Sequence, residues 1–125
     1  MGTRLICDQK GKQVLYDVDK QEVVDQIGTP EILPKPGGDS ALSFDGKWFV
    51  NGYRVGHEDL YVVYNRNDNT WVRTKGLPVD NWTGGDLRCD PAPCWNRTDT
   101  QIAFPAIADD SARTRQTFLL RIKKG

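Results

Sequence analysis

The sequence predicts an all-β fold, and three observations carry that prediction: a recurring hairpin unit, period-two alternation and the want of any helical period. The unit is Ala41-Leu42-Ser43-Phe44-Asp45-Gly46-Lys47-Trp48-Phe49-Val50, and its layout returns as Pro93-Cys94-Trp95-Asn96-Arg97-Thr98-Asp99-Thr100-Gln101-Ile102-Ala103-Phe104. Each copy reads as a short apolar strand, a tight polar turn and a second strand that is aromatic or β-branched. Asp45-Gly46 offers the positive φ that a two-residue hairpin turn requires. Asp45 and Thr98 hold corresponding places 53 residues apart, which marks an internal repeat. Alternation is clearest where Val14, Tyr16 and Val18 interleave with Gln13, Leu15 and Asp17, the pattern of a partly buried strand. No stretch keeps helical spacing over the ~11 residues that a helix needs.

Taken in order, the first segment predicts strands at Arg4 to Cys7, Gln13 to Val18 and Glu22 to Ile27, parted by the turns Asp8 to Lys12 and Asp19-Lys20. Thr29 to Gly38, with three prolines and two glycines, cannot continue a ladder and is a connection. Strands are then expected at Asp39 to Ser43 and Trp48 to Tyr53, followed by a longer loop Arg54 to Asp59. Leu60 to Tyr64, a turn at Asn65 to Asn69 and a strand Trp71 to Lys75 complete this unit. Gly76 to Asp86 reads as a second linker, carrying Trp82. The last unit has strands near Ala92 to Asn96, Gln101 to Ile107 and Thr117 to Ile122. The whole is one all-β unit, residues 1–125, of about ten strands in three segments, 4–28, 38–76 and 86–124.

The strand count is uneven. The middle segment has four, the last three, and the first three that match the second, third and fourth of the middle one. Lys12 to Val18 lines up with Glu58 to Tyr64. A 53-residue period lies near the roughly 40–50 residues of a β-propeller blade. The segments are therefore expected to be four-stranded antiparallel blades of the propeller type, the first lacking its innermost strand and the last its outermost. Such rings typically need four or more blades. An incomplete arc of about two and a half to three blades implies self-association or blades supplied from elsewhere.

A chain of 125 residues buries about two-thirds of the surface it exposes when unfolded. Seventeen basic residues balance seventeen acidic ones, which removes the footprint of a nucleic-acid or anionic-membrane binder. No apolar run approaches the ~20 residues of a membrane span. The start, Met-Gly-Thr-Arg-Leu-Ile, has no signal-peptide core, and Ile6 stands where a myristoylation signal wants Ser or Thr, so the chain as it stands reads as cytosolic. Cys7, Cys89 and Cys94 have no C-x-x-C spacing and a single histidine for company, a poor set for zinc, and are expected as buried free thiols. Cys89 and Cys94 bridge only if Pro91 and Pro93 fold the chain back. No cofactor is expected.

Five residues are candidate ligand contacts. His57, in Gly56-His57-Glu58-Asp59, is either a base or ligand beside two carboxylates or a plain loop histidine. Asp86, Arg88 and Asp90 form a charged cluster expected to run into an inner strand. There Arg88 either clamps a carboxylate, as of an acidic sugar, or forms an ion pair between neighbouring blades. Trp82 either stacks on a sugar ring or covers a blade edge. Trp48, Trp71 and Trp95 are expected to pack between blades. Asn81-Trp82-Thr83 and Asn96-Arg97-Thr98 match the glycosylation acceptor pattern.

Ser43-Phe44-Asp45-Gly46-Lys47-Trp48-Phe49-Val50 resembles the S-P-D-G-K-x-I-x signature of TolB-type propeller blades. Leu60-Tyr61-Val62-Val63-Tyr64 with Asn65 to Trp71 resembles the strand and turn that follow it. Gly85-Asp86-Leu87-Arg88-Cys89-Asp90-Pro91-Ala92-Pro93-Cys94-Trp95 is similar to the entry into the last blade of propellers related to oligogalacturonate lyases. The resemblance spans Arg4 to Ile122 and implies seven-bladed rings, often outside the cytoplasm, with a manganese ion held by histidines and a glutamine in the lyases. Ala92 stands at the family's histidine position and Gly38-Asp39 where Gly-His is frequent, so no metal ligand carries over. The expectation is a non-catalytic propeller-type segment that binds a ligand or partner or assembles, an acidic carbohydrate being one candidate. The alternative is the C-terminal part of an oligogalacturonate lyase-like enzyme.

Overall fold

A computed structural model describes residues 3–29, 31–32, 39–109 and 111–123. Among them are eleven strands and no helix: β1 (Arg4–Gln9), β2 (Lys12–Asp17), β3 (Glu22–Gln26), β4 (Asp39–Leu42), β5 (Trp48–Val55), β6 (Glu58–Asn65), β7 (Trp71–Arg73), β8 (Leu77–Pro78), β9 (Cys94–Trp95), β10 (Gln101–Ile107) and β11 (Arg115–Arg121). They form three antiparallel sheets, ordered β1-β2-β3, β4-β5-β6-β7 and β11-β10-β9, with β8 pairing β6 beside β7. None of the three closes on itself. Of the first linker, residues 30 and 33–38 lie outside the described residues.

The middle sheet is buried on both faces, and strand alternation decides which residues go where. Phe49, Tyr53, Val62 and Tyr64 pack with Leu15 and Ile27 of the first sheet's neighbourhood, joined by Ile6, Leu42 and Leu60. Val50, Tyr61 and Val63 point the other way, onto Trp95, Ile102, Phe104 and Ala106, joined by Ala41 and Leu120. Tyr61 and Phe104 meet with ring centroids 4.6 Å apart. The near-continuous apolar run of β6 follows from this double coverage. Burying such side chains stabilises by about 1.5–3 kcal/mol each.

The 53-residue repeat is visible in the turns. Ser43 N donates to Trp48 O at 2.8 Å and Gly46 N to Ser43 O at 3.0 Å. In the second copy Asn96 N donates to Gln101 O at 2.9 Å and Asp99 N to Asn96 O at 3.1 Å. Gly46 (φ 73°) and Asp99 (φ 56°) occupy the same left-handed position. The turn is thus not the two-residue Asp45-Gly46 turn expected. It is a five-residue loop in which Asp45 keeps ordinary φ, its carboxylate accepting the Lys47 amide (3.0 Å) and the Ser43 hydroxyl (2.7 Å). Asn96 does the corresponding work with its Oδ1, taking the Thr100 and Gln101 amides at 2.9 Å each. The buried Asp99 carboxylate then reaches across sheets to the Phe44 and Asp45 amides, at 2.8 and 2.9 Å. Trp95 Nε1 adds a bond to Ala41 O at 3.1 Å, so the sheets are latched at the edge where β4 meets β9.

A two-residue turn does occur, at Gly56-His57, in place of the long Arg54 to Asp59 loop expected. β5 and β6 pair as far as Val55 and Glu58, and Gly56 (φ 60°) supplies the positive φ that a turn with glycine first requires. The second linker contains β8. The β9 strand shrinks to two residues because the prolines before it deprive the ladder of donors. Trp71 is substantially exposed on the short β7, with the Arg73 guanidinium over its ring at 5.2 Å, and so does not pack between sheets. Cys89 alone of the three cysteines is buried; Cys7 and Cys94 are exposed, and all are free.

Candidate functional site

The five candidate residues lie on, or directly against, one segment: the loop from Val79 to Asp90 that carries the chain from the middle sheet to β9. Its body is small and apolar. Val79, Cys89 and Ile107 form a separate buried cluster, with Trp82 partly buried against it. Backbone bonds fold it back: Trp82 N to Val79 O at 3.0 Å and Cys89 N to Trp82 O at 2.7 Å. Asp80 (φ 51°) and Gly85 (φ 72°) take the left-handed conformations that the bends demand. The β5–β6 turn holds its start, Val79 N donating to His57 O at 2.9 Å.

Three arginines from three strands or loops fasten this loop. Arg113 grips the Asp80 carboxylate through Nε (2.8 Å) and Nη2 (3.1 Å). Arg115 Nη1 donates to Arg88 O at 2.9 Å. Arg54 Nη2 donates to Cys89 O while its Nε and Nη2 engage Asp59 Oδ1 and Oδ2 at 2.7 and 3.2 Å. On the other side of the joint, Gly52 leaves the space into which the Pro91 carbonyl comes; a Cβ there would collide with that backbone and with the Tyr61 ring.

Electrostatics follow from these contacts. Arg113, hydrogen-bonded to Asp80, holds its carboxyl below the ordinary value. Burial pushes the Asp59 carboxyl up, a push the Arg54 bonds oppose without cancelling. Burial and the neighbouring Asp59 likewise push up the Tyr61 phenol and the Cys89 thiol. A thiol so placed is a packing residue and no nucleophile.

His57 sits in the two-residue turn, its Nδ1 2.8 Å from Asp80 O, where it braces the loop. Trp82 covers the apolar cluster. Arg88 and Asp90 pair with each other at 2.8 Å, their side chains 61 % and 44 % exposed, and Asp86 is exposed beside them. The cluster therefore does not run into an inner strand, as expected: residues 85–93 form bends and irregular chain, and β9 starts only at Cys94. Arg54, expected in a loop, belongs instead to β5 and, with Asp59, is largely buried, at 20 % and 2 % side-chain exposure.

Sequence reasoning missed Arg54, Asp59, Arg113, Arg115 and Leu87. A signal existed for the first two: reading Gly56-His57 as the turn places Arg54 opposite Asp59. Leu87, 66 % exposed, stands at the loop's tip between Asp86 and Arg88. Two apolar clefts also flank β11. One, of about 420 Å³, is lined by Leu77, Phe104, Ile107 and Phe118, and the other, of about 310 Å³, by Trp48, Val63, Trp71, Leu120 and Ile122. On the opposite face of the middle sheet the Asn51 amide is fully buried without a hydrogen-bond partner among the described residues, close to the Gln13–Ser40 bond of 3.2 Å.

Comparison with family models, curated proteins and solved structures gave no match. Among the described residues no three His, Cys, Asp or Glu side chains converge as a metal set would. The arrangement is a rigidly fastened loop that displays a large apolar side chain between charges, a form suited to contact with a partner surface.

Proposed function

We propose that this chain is a non-catalytic β-propeller-type segment that works by binding and assembly. The observation that carries the reading is the contrast among sheets: the middle sheet is covered on both faces, while the first and third leave Leu5, Val23 and Leu119 in water on theirs. Apolar sheet faces of this kind are usually covered in the working state of a protein. The repeat at 53 residues and the latch between β4 and β9 support blades set side by side in one sense. Arg88 keeps its place as the group that would meet an acidic ligand, although such a ligand must compete with Asp90 for the guanidinium. Light scattering over a concentration series tests the reading. The expected mass exceeds the 14.1 kDa of one chain and rises with concentration. A constant mass of 14.1 kDa to high micromolar concentration would overturn it.

A further inference from the structure

From the way the sheets pack, we infer that a second copy of this chain docks head to tail, the outward face of its first sheet covering the outward face of the third sheet. This rests on the assembly reading above and adds to it the two faces and their polarity.

Equivalent positions on the three sheets set this polarity. On the middle sheet, the row Ala41–Val50–Val63 faces the sheet that follows in the chain. Shifting the first two by 53 residues gives Cys94 and Ala103, and Leu119 pairs with Ala103 as Val63 pairs with Val50. The row Cys94–Ala103–Leu119 is thus the same kind of face, yet among the described residues no sheet covers it, and Leu119 is 60 % exposed. The row Ser40–Asn51–Val62 faces the sheet that precedes. With Lys12 to Val18 equivalent to Glu58 to Tyr64, its counterpart on the first sheet is Leu5–Tyr16, extended by Val23. That face is of the type that meets a preceding sheet, yet among the described residues no sheet covers it, and Leu5 is 53 % exposed.

Each joint inside the chain sets a following-type face against a preceding-type face. The two faces left over are one of each type. They lie at opposite ends of the three-sheet stack and meet only between chains. Such a contact is heterologous, so it propagates until a ring closes. The cysteines fall into register with it. Cys94 holds the place of Ala41, and Cys7, paired with Val14 as Tyr53 is with Leu60, holds that of Tyr53 and its repeat Ala106. Ala41 and Ala106 share one core cluster in the joint seen within the chain. Cys7 of one copy and Cys94 of the next therefore belong to one cluster in the joint between copies.

The test uses the whole chain and two variants, Leu5→Glu and Leu119→Glu, each altering a side chain more than half exposed; Val23→Glu replaces the former if its circular dichroism departs from the parent's. Each variant alone remains at 14.1 kDa, because one member of every joint is lost. Mixed in equal amounts they form a dimer that grows no further, the intact first-sheet face of one meeting the intact third-sheet face of the other. In the parent, a short bis-maleimide joins Cys7 to Cys94 between chains. A parent that associates while the mixed variants remain monomeric, or cross-links joining Cys7 to Cys7 or Cys94 to Cys94, would overturn the head-to-tail joint while leaving assembly standing. A monomeric parent would overturn both.

Discussion

Arg54–Asp59 and Arg88–Asp90 are the same pair of residue types, but the fold treats them in opposite ways. Arg54 and Asp59 face each other across a two-residue turn, on the side of the middle sheet covered by the third, and Arg54 also holds the Cys89 carbonyl. Arg88 and Asp90 are neighbours two residues apart on an exposed bend. The first pair ties β5 and β6 to the loop; the second ties that loop only to itself. Proximity in sequence makes a pair easy to see and says little of what it supports. Placement on facing strands makes a pair matter.

The largest effect to expect from this contrast is at Arg54. Arg54→Ala leaves the Asp59 carboxylate buried without its main partner and releases the Cys89 carbonyl, and should cost about 3–5 kcal/mol in urea unfolding. Replacing both partners, Arg54→Met with Asp59→Leu, should recover most of that loss, since apolar groups of similar volume carry no charge to strand. If Arg54→Ala unfolds at the parent's urea midpoint, the pair is not the tie described here.

An intermediate effect is expected with pH. The Asp80 carboxyl titrates below its ordinary value of 3.8 because Arg113 bonds its ionised form, and Asp17 and Asp68 are lowered by bonds from Lys20 and Thr70 respectively. Groups of this kind stabilise the fold above 3.8, and that contribution drains away as pH falls through their depressed values. Asp59 runs in the other sense: its raised value adds stability below 3.8 that is lost as pH rises through it. Below 3.8 the melting temperature should therefore fall with acid, and Asp80→Asn should make that fall shallower. An unchanged slope would show that the Arg113 clamp does not hold the loop in solution.

The smallest effect is expected at Arg88. An exposed pair contributes about 0–1 kcal/mol, so Arg88→Ala should leave thermal unfolding nearly where it was. A loss of binding to an acidic oligosaccharide in calorimetry without a loss of stability would sharpen the contrast, making Arg88 a residue of display and Arg54 one of support. A destabilisation as large as that of Arg54→Ala would erase it.

Much of the fold was legible in the sequence because strand alternation and turn chemistry are local. The ten strands expected match ten of the eleven found, and Gln101–Ile107 agrees to the residue. β8 escaped notice since a two-residue strand next to a proline has no period to read. The Ser43 to Lys47 turn differs from the one expected because Gly46 suits both a two-residue turn and the longer loop, and the choice rests on hydrogen bonds accepted by Asp45, Ser43 and the distant Asp99. The candidate site was half legible. Its loop was found from composition, but the arginines that fasten it come from positions 54, 113 and 115, and nothing in the chain's order brings those together. Exposure was the other blind spot: Cys7 and Cys94 look like core thiols until the sheets show which faces are left without a neighbour.

Amide hydrogen exchange followed residue by residue, in dilute and in concentrated solution, tests the central claim most directly. In dilute solution β5 and β6 should exchange slowest, with β3 and β11 faster, because among the described residues only the middle sheet is covered on both faces. On concentration, protection should rise around Leu5, Tyr16 and Val23 and around Ala103 and Leu119, with little change in the middle sheet. Uniform protection across all three sheets in dilute solution, unaltered by concentration, would contradict the account.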